Sequence, residues 1–283
     1  MTATAVPEPL RAALLGFAAG RAALAQVLRV RPLPSGVRNR VFRVTGRDLD
    51  WAVRLGAAGA GSLGADRDSE VRAWEAAAAA GLAPPLVHFD GDGDVLVSGF
   101  VAAPTWTRRR ARSMDGIRAI GRRLARLHSL PTPAGVRAFS AREAMRVLLA
   151  ALPPAPRRLA RERLERHAAA ALADFVGEGA ALCHLDLHHR NVIGRSAVLF
   201  IDWEYAGVGD PAIDLAAYAC YHDFDAARRD ALVVAHGAAV PAARLDAACR
   251  LFDGLQACWY EAADAWGALP PARRDELLAR VLP

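Results

Sequence analysis

The stretch Cys183-His184-Leu185-Asp186-Leu187-His188-His189-Arg190-Asn191-Val192 sets a histidine, a carboxylate and a carboxamide at His-x-Asp-x-x-x-x-Asn spacing. The short apolar run Val198-Leu199-Phe200-Ile201 then delivers Asp202. Phosphoryl transfer from ATP calls for one carboxylate that accepts and aims the attacking hydroxyl, and for separate oxygen ligands that hold magnesium on the phosphates. On this reading Asp186 is the base and Asn191 and Asp202 are the metal ligands. The apolar run reads as a buried strand, so Asp202 is expected at its carboxyl end, a rigid place for a ligand. A single Asp or Asn in a loop is ordinarily a turn or capping residue; here four positions match together. His184 fits an internal hydrogen-bond strut better than a proton carrier. A different chemistry would use His184, Asp186, His188 and Asp202 as transition-metal ligands of a hydrolase, but that leaves Asn191 and the amino-terminal third without a role.

Further along stand Ile201-Asp202-Trp203-Glu204-Tyr205-Ala206-Gly207 and Asp210-Pro211-Ala212-Ile213-Asp214-Leu215-Ala216. With these motifs the chain resembles the aminoglycoside phosphotransferase and choline kinase superfamily. The Ile-Asp-Trp-Glu-Tyr-Ala form is particularly similar to choline, ethanolamine and thiamine kinases. The resemblance implies an α+β, bilobal, protein-kinase-like fold with a small antiparallel-sheet lobe and an α-rich lobe. It also implies ATP and magnesium as cofactors and a small-molecule alcohol as acceptor, and it casts Asp210 and Asp214 as residues that shape the loop. Asp210-Pro211 reads independently as the N-cap and first residue of a helix.

The elements that must position these groups begin with one or two alanine- and leucine-rich helical segments over residues 1 to about 30, divided by Gly20. Leu33-Pro34-Ser35-Gly36-Val37-Arg38-Asn39 turns into an alternating strand. The resemblance makes this the nucleotide-covering loop, with Gly36 and Asn39 toward the nucleotide; a lone glycine also suits a plain hairpin turn. In Trp51-Ala52-Val53-Arg54-Leu55 the alternation places Trp51, Val53 and Leu55 on one face and Arg54 on the other. The resemblance assigns Arg54 to the phosphates, a contact its guanidinium makes in bidentate fashion, and assigns Glu70, in the first turn of the next helix, to pair with it. Leu86-Val87-His88-Phe89 and Val95-Leu96-Val97 form a second hairpin around Gly91-Asp92-Gly93-Asp94. The run from Val97 to Val101 is expected to connect the lobes, Val97 and Gly99 offering backbone groups to the adenine edge. The expected division is 1–101 for the nucleotide-binding lobe and 102–283 for the catalytic and substrate-binding lobe.

Beyond the connector, Ile117, Ile120, Leu124 and Leu127 recur at helical spacing. Residues 141 to 175 read as helix broken by Pro153, Pro154 and Pro156, and the chain after 211 is mostly helical. Glu204, Trp259 and Asp264 are candidates, beside Asp186, for holding the acceptor: a buried cation wants aromatic faces and a carboxylate. Packing in the core is the plainer role for Trp259 and Trp266. Resemblance ranks thiamine first and choline second as acceptor, with an amino sugar or aminoglycoside behind. A nucleotide-binding pseudokinase serving as an interaction module is the reading from another class.

Composition narrows the partners. The 283 residues carry a net charge of +6, yet the sequence has no lysine, so all 36 basic residues are arginine. That pattern reads as coding bias rather than a nucleic-acid surface, and Arg108-Arg109-Arg110, the one compact basic run, reads as a solvated loop or helix start. Cys183, Cys220, Cys249 and Cys258 are scattered and read as reduced core thiols. No uncharged apolar stretch approaches 18 residues and no export signal is evident, so no membrane partner and a cytoplasmic location are expected.

Overall fold

The computed structural model describes residues 6–33, 39–56, 65–91, 94–152, 158–175, 179–237, 240–263, 267 and 270–281. The chain forms two compact units, residues 1–61 with 77–103, and residues 62–76 with 104–283.

The first unit opens with α1 (Glu8–Leu15) and α2 (Ala18–Leu24), followed by strands β1 (Val27–Leu33), β2 (Asn39–Gly46) and β3 (Asp50–Gly56). Helix α3 (Arg67–Ala79) contributes its last turn, and β4 (Leu86–Asp90) and β5 (Val95–Gly99) complete an antiparallel sheet of order β1-β2-β3-β5-β4. One face is apolar: Val44, Val53, Leu55, Val95 and Val97 pack with Leu10, Leu14 and Phe17 of the amino-terminal segment. Two expectations are corrected here. The helices end at Leu24 and break at Gly16–Phe17, whereas Gly20 lies inside α2. A Cβ at Gly20 would come 2.2 Å from the Leu14 carbonyl oxygen, so its missing side chain serves the close approach of α1 and α2. Residues 27–30 are strand, not helix: β1 is an edge strand, with Arg29 and Arg31 exposed, and an edge also tolerates Pro32, which donates no backbone hydrogen bond.

The second unit contains most of α3, then α4 (Arg108–Ala111), α5 (Met114–His128), α6 (Ala141–Ala150), α7 (Arg158–Asp174), β6 (Ala181–Cys183), a 3-10 turn at His189–Asn191, β7 (Val192–Ile193), β8 (Leu199–Phe200) and β9 (Gly207–Gly209). Helices α8 (Pro211–Tyr221), α9 (Ala226–His236), α10 (Ala242–Ala262) and α11 (Pro271–Val281) follow. The Ser113 hydroxyl caps α5 by accepting from Gly116 N at 3.1 Å, and Ile117, Ile120, Leu124 and Leu127 are fully buried, the apolar stripe their spacing requires. Helix α10 is buried along most of its length and packs on α6, α7, α8 and α11. All four cysteines are buried and free. The basic run starts α4 as expected, and its arginines tie the unit together: Arg110 lies over the Trp106 ring at 4.2 Å, and Arg108 bonds Asp223 and the Tyr221 carbonyl. Among the described residues no helix is long and apolar enough to cross a membrane.

Candidate active site

The loop from His184 to Asn191 hangs between two small antiparallel ladders of the second unit. On its entry side β6 pairs with β9, Cys183 opposite Gly207; on its exit side β7 pairs with β8, Val192 opposite Phe200. The chain bends sharply at both ends of this assembly, since Leu185 (φ 65°) and Asp202 (φ 67°) occupy the left-handed region that costs an ordinary side chain energy. Asp214, in the first turn of α8, holds the entry: its carboxylate accepts from the backbone amides of His184 at 2.8 Å and Leu185 at 2.6 Å, and from His128 Nε2 at 3.0 Å. Burial alone would raise the Asp214 pKa. The His128 hydrogen bond, the charges of His128 and His184 and the amide bond from His184 outweigh it and hold the group below the usual carboxylate value.

His184 is fully buried, and its Nε2 lies 3.0 Å from the Ile201 carbonyl, linking the loop to the strand end that carries Asp202. Burial lowers its pKa, opposed chiefly by the charges of Asp214 and Asp186, and Nε2–H donates to that carbonyl. A ring without exposed surface serves as a strut. Asp186 is half-buried at the base of the loop. Its Oδ1 accepts from the Tyr221 hydroxyl at 2.6 Å and its Oδ2 from Asn191 Nδ2 at 3.3 Å, while Asn191 Nδ2 also donates to the Asp186 backbone carbonyl at 2.9 Å. Desolvation pushes the Asp186 pKa up, opposed by the Tyr221 bond, the His184 charge and the Asn191 bond. Directing both Asn191 bonds through its NH2 group sets Oδ1 on the far side of the carboxamide. Asn191 is itself buried, and its backbone carbonyl accepts from Ile201 N at 3.0 Å, so the strand end leading to Asp202 is tied directly to it.

The remaining candidates are distributed. Glu204 is 9% exposed, with Oε2 3.3 Å from Arg67 Nη1; the same guanidinium lies 2.8 Å from Glu70 Oε2, and Glu70 has no exposed surface. In the first unit Arg54 is 7% exposed, directly opposite Val41 and Leu96, with Nη2 3.7 Å from Asp94 Oδ1. Asn39 opens β2 opposite Gly56. Val97 lies inside β5, which has paired strands on both sides, and the Gly99 amide donates to the Pro85 carbonyl at 2.9 Å; sheet formation uses backbone groups that sequence reasoning directs at adenine. Trp259 is half-buried at the end of α10, with Nε1 donating to the Tyr205 hydroxyl at 2.8 Å and Tyr260 edge-on at 5.2 Å. Gly36, Asp264 and Trp266 lie outside the described residues. The hydrolase set is not assembled: among the described residues the one His, Cys, Asp or Glu group with three ligand atoms within 4.8 Å of one another is His128, Cys183 and Asp214, and that carboxylate is already committed to backbone amides.

The sequence pattern of the phosphotransferase enzyme family matches residues 29–252, from within β1 through the rest of the sheet, the loop, α8 and α9 to the middle of α10. The chain belongs to the phosphotransferase enzyme family. No curated protein matches the sequence. Solved structures with the same fold include a choline/ethanolamine kinase family protein from Mesorhizobium loti, 24% identical, covering 96% of this chain and 92% of that one, with a TM-score of 0.71. A choline kinase from Streptococcus pneumoniae is 20% identical over 92% of this chain and 94% of its own, TM-score 0.75. A spectinomycin phosphotransferase in complex with ADP and spectinomycin is 12% identical over 90% of this chain and 84% of its own, TM-score 0.61. Likeness at these identities establishes the shared protein-kinase-like α+β fold.

In this phosphotransferase, sequence reasoning missed three residues that the structure brings to the loop: Tyr221 on the Asp186 carboxylate, His128 on Asp214, and Arg67 between Glu70 and Glu204. One of them left a signal. Tyr221 stands seven residues after Asp214, two helical turns, and so shares its face of α8. Arg67 and Glu70 are one helical turn apart, whereas the His128–Asp214 and Arg67–Glu204 contacts join residues far apart in sequence.

Proposed function

We propose that this phosphotransferase is a small-molecule kinase that moves the γ-phosphoryl group of ATP, as its magnesium complex, onto the hydroxyl of a small alcohol. The observation that carries the proposal is the Asp186–Asn191 arrangement: the carboxamide nitrogen is bonded to the aspartate, which turns its oxygen away from that carboxylate, while the Asn191 backbone carbonyl accepts from Ile201 N and so ties the residue to the strand end that leads to Asp202. Asn191 Oδ1 and the Asp202 carboxylate are hard oxygen donors, the set magnesium prefers; they are the residues assigned to hold it. Magnesium so held neutralises charge on the transferring phosphates. Asp186 accepts and aims the acceptor hydroxyl, and its desolvated carboxylate is a stronger base than one in water. Arg54 is assigned to the nucleotide phosphates, and Gly36, Asn39, Glu70 and the connector around Val97 and Gly99 to the nucleotide side, as the family resemblance implies. On this proposal residues 1–101 form the nucleotide-binding lobe and 102–283 the catalytic lobe.

Within the proposal, thiamine is placed first as acceptor and choline second. The Tyr205, Trp259 and Tyr260 rings, half-buried and with Trp259 in contact with each of the other two, supply the faces that a cation stacks on. Glu204 and Asp264 are assigned to the same acceptor. The Glu204 carboxylate already faces Arg67, so a cation there would share it with a guanidinium. The test is ADP release with thiamine, choline, ethanolamine and kanamycin in competition. Turnover of a cationic alcohol is expected; exclusive turnover of kanamycin or a neutral sugar would sink the acceptor assignment alone, and tight ATP binding without turnover of any alcohol would sink the kinase assignment.

A further inference from the structure

We infer that Tyr221 is a positioning residue for the phosphoryl-transfer base, fixing the rotation of the Asp186 carboxylate so that one defined oxygen meets the acceptor hydroxyl. The inference rests on the kinase reading above. A carboxylate turns about its last torsion in a broad, roughly two-fold well, so a loop aspartate held through its backbone alone has no fixed direction for its lone pairs. Here each oxygen has its own donor: the Tyr221 hydroxyl on Oδ1 at 2.6 Å and Asn191 Nδ2 on Oδ2 at 3.3 Å. The shorter bond comes from Tyr221, so that side chain dominates the restraint.

The tyrosine is itself immobilised. Its ring takes edge contacts from His188, with centroids 4.9 Å apart and planes at 87°, and from Phe252 of α10 at 5.3 Å and 70°. It is also the last residue of α8, the helix whose Asp214 accepts the amides of His184 and Leu185. One helix face therefore grips the loop twice, by the backbone just before Asp186 and by the Asp186 side chain. Burial and the neighbouring Asp186 charge raise the phenol pKa well above its usual value, so the hydroxyl keeps its proton and acts as donor throughout the working range.

Tyr221→Phe deletes this donor, and with it the hydroxyl's side-chain hydrogen bond with Gln256. Misaiming a reacting group costs up to about a hundredfold in rate. The expected result is a fall in kcat of about ten- to a hundredfold, with the KM for ATP within about twofold of wild type. Phe252→Leu keeps the hydroxyl and loosens the ring; a smaller fall in kcat with the same unchanged KM for ATP is expected. The decisive readout is a double-mutant cycle with Asp186→Asn: if Tyr221 acts through the carboxylate, Tyr221→Phe has little further effect once Asp186→Asn is in place. An equal proportional loss in both backgrounds, or a kcat in Tyr221→Phe that is unchanged or raised, overturns the inference. Wild-type protein that turns over no alcohol overturns the kinase reading instead, so the two failures are distinguishable.

Discussion

At the scale of single residues the site is a set of polar groups whose directions are imposed by hydrogen bonds rather than by their own torsions. Replacing Asp186 by asparagine keeps the shape of the side chain but removes the charge to which the proposed mechanism assigns the proton. Asp186→Asn is expected to lower turnover by about a hundredfold or more while the dissociation constant for an ATP analogue stays within about twofold, measured by steady-state kinetics and calorimetry. Near wild-type turnover would remove Asp186 from the mechanism. Asp202 is held at φ 67° after β8. Asparagine tolerates that conformation better than alanine does, so Asp202→Asn isolates the charge. Magnesium-dependent nucleotide binding should be lost in a magnesium titration, with the melting temperature little changed; unaltered binding would make Asp202 a purely structural residue.

At the scale of elements, α8 organises the loop more than any other segment. Asp210 caps it by accepting from Ala212 N at 2.8 Å, Asp214 takes two loop amides and His128, and Tyr221 reaches the loop carboxylate at the far end. Removing the Asp214 charge leaves buried donors facing a group that no longer accepts them all. Breaking a buried, hydrogen-bonded charge by removing one partner costs about 3–5 kcal/mol. Asp214→Asn is therefore expected to lose about 3 kcal/mol of stability, read from urea denaturation, and to lower activity as the loop loosens. A loss below about 1 kcal/mol would show that the loop is held elsewhere.

At the scale of the whole molecule, buried neutral histidines tie stability to pH. Burial depresses His222 to about 3, aided by neighbouring His189, Arg108 and His188, and depresses His236 to about 4, aided by His128. Both values lie below the ordinary 6.5, so between about pH 4 and 6.5 the unfolded chain binds protons that the folded chain does not. Stability then rises with pH through that window and falls on acidification. His188 and His189, each lowered to about 4 chiefly by burial, act in the same sense, so denaturation midpoints are expected to drop steadily from pH 7 to 5, with several protons taken up on unfolding near pH 5.5. A midpoint independent of pH over that range would mean that these rings are hydrated. His236→Gln should flatten part of the slope.

What the sequence shows by itself is the motif and the alternation that carries it. The spacing of His184, Asp186 and Asn191 and the apolar run before Asp202 are local facts, and so are the amphipathic stripe of α5, the cap at Asp210-Pro211 and the two-faced strand around Arg54; each follows from covalent neighbours and a helical or strand period. Local pattern failed where a distant contact outranked it. Gly20 reads as a helix break until the Leu14 carbonyl is seen beside it, and residues 27–30 read as helix until β2 supplies a partner strand. Tertiary structure alone decided that Asp214 clamps the backbone before Asp186, that Tyr221 shares the Asp186 carboxylate with Asn191, and that Arg67 reaches Glu204. The physical reason is common to all three: a buried polar group must be satisfied by whichever donor or acceptor the packed elements bring within about 3 Å, and sequence order does not encode which one that is.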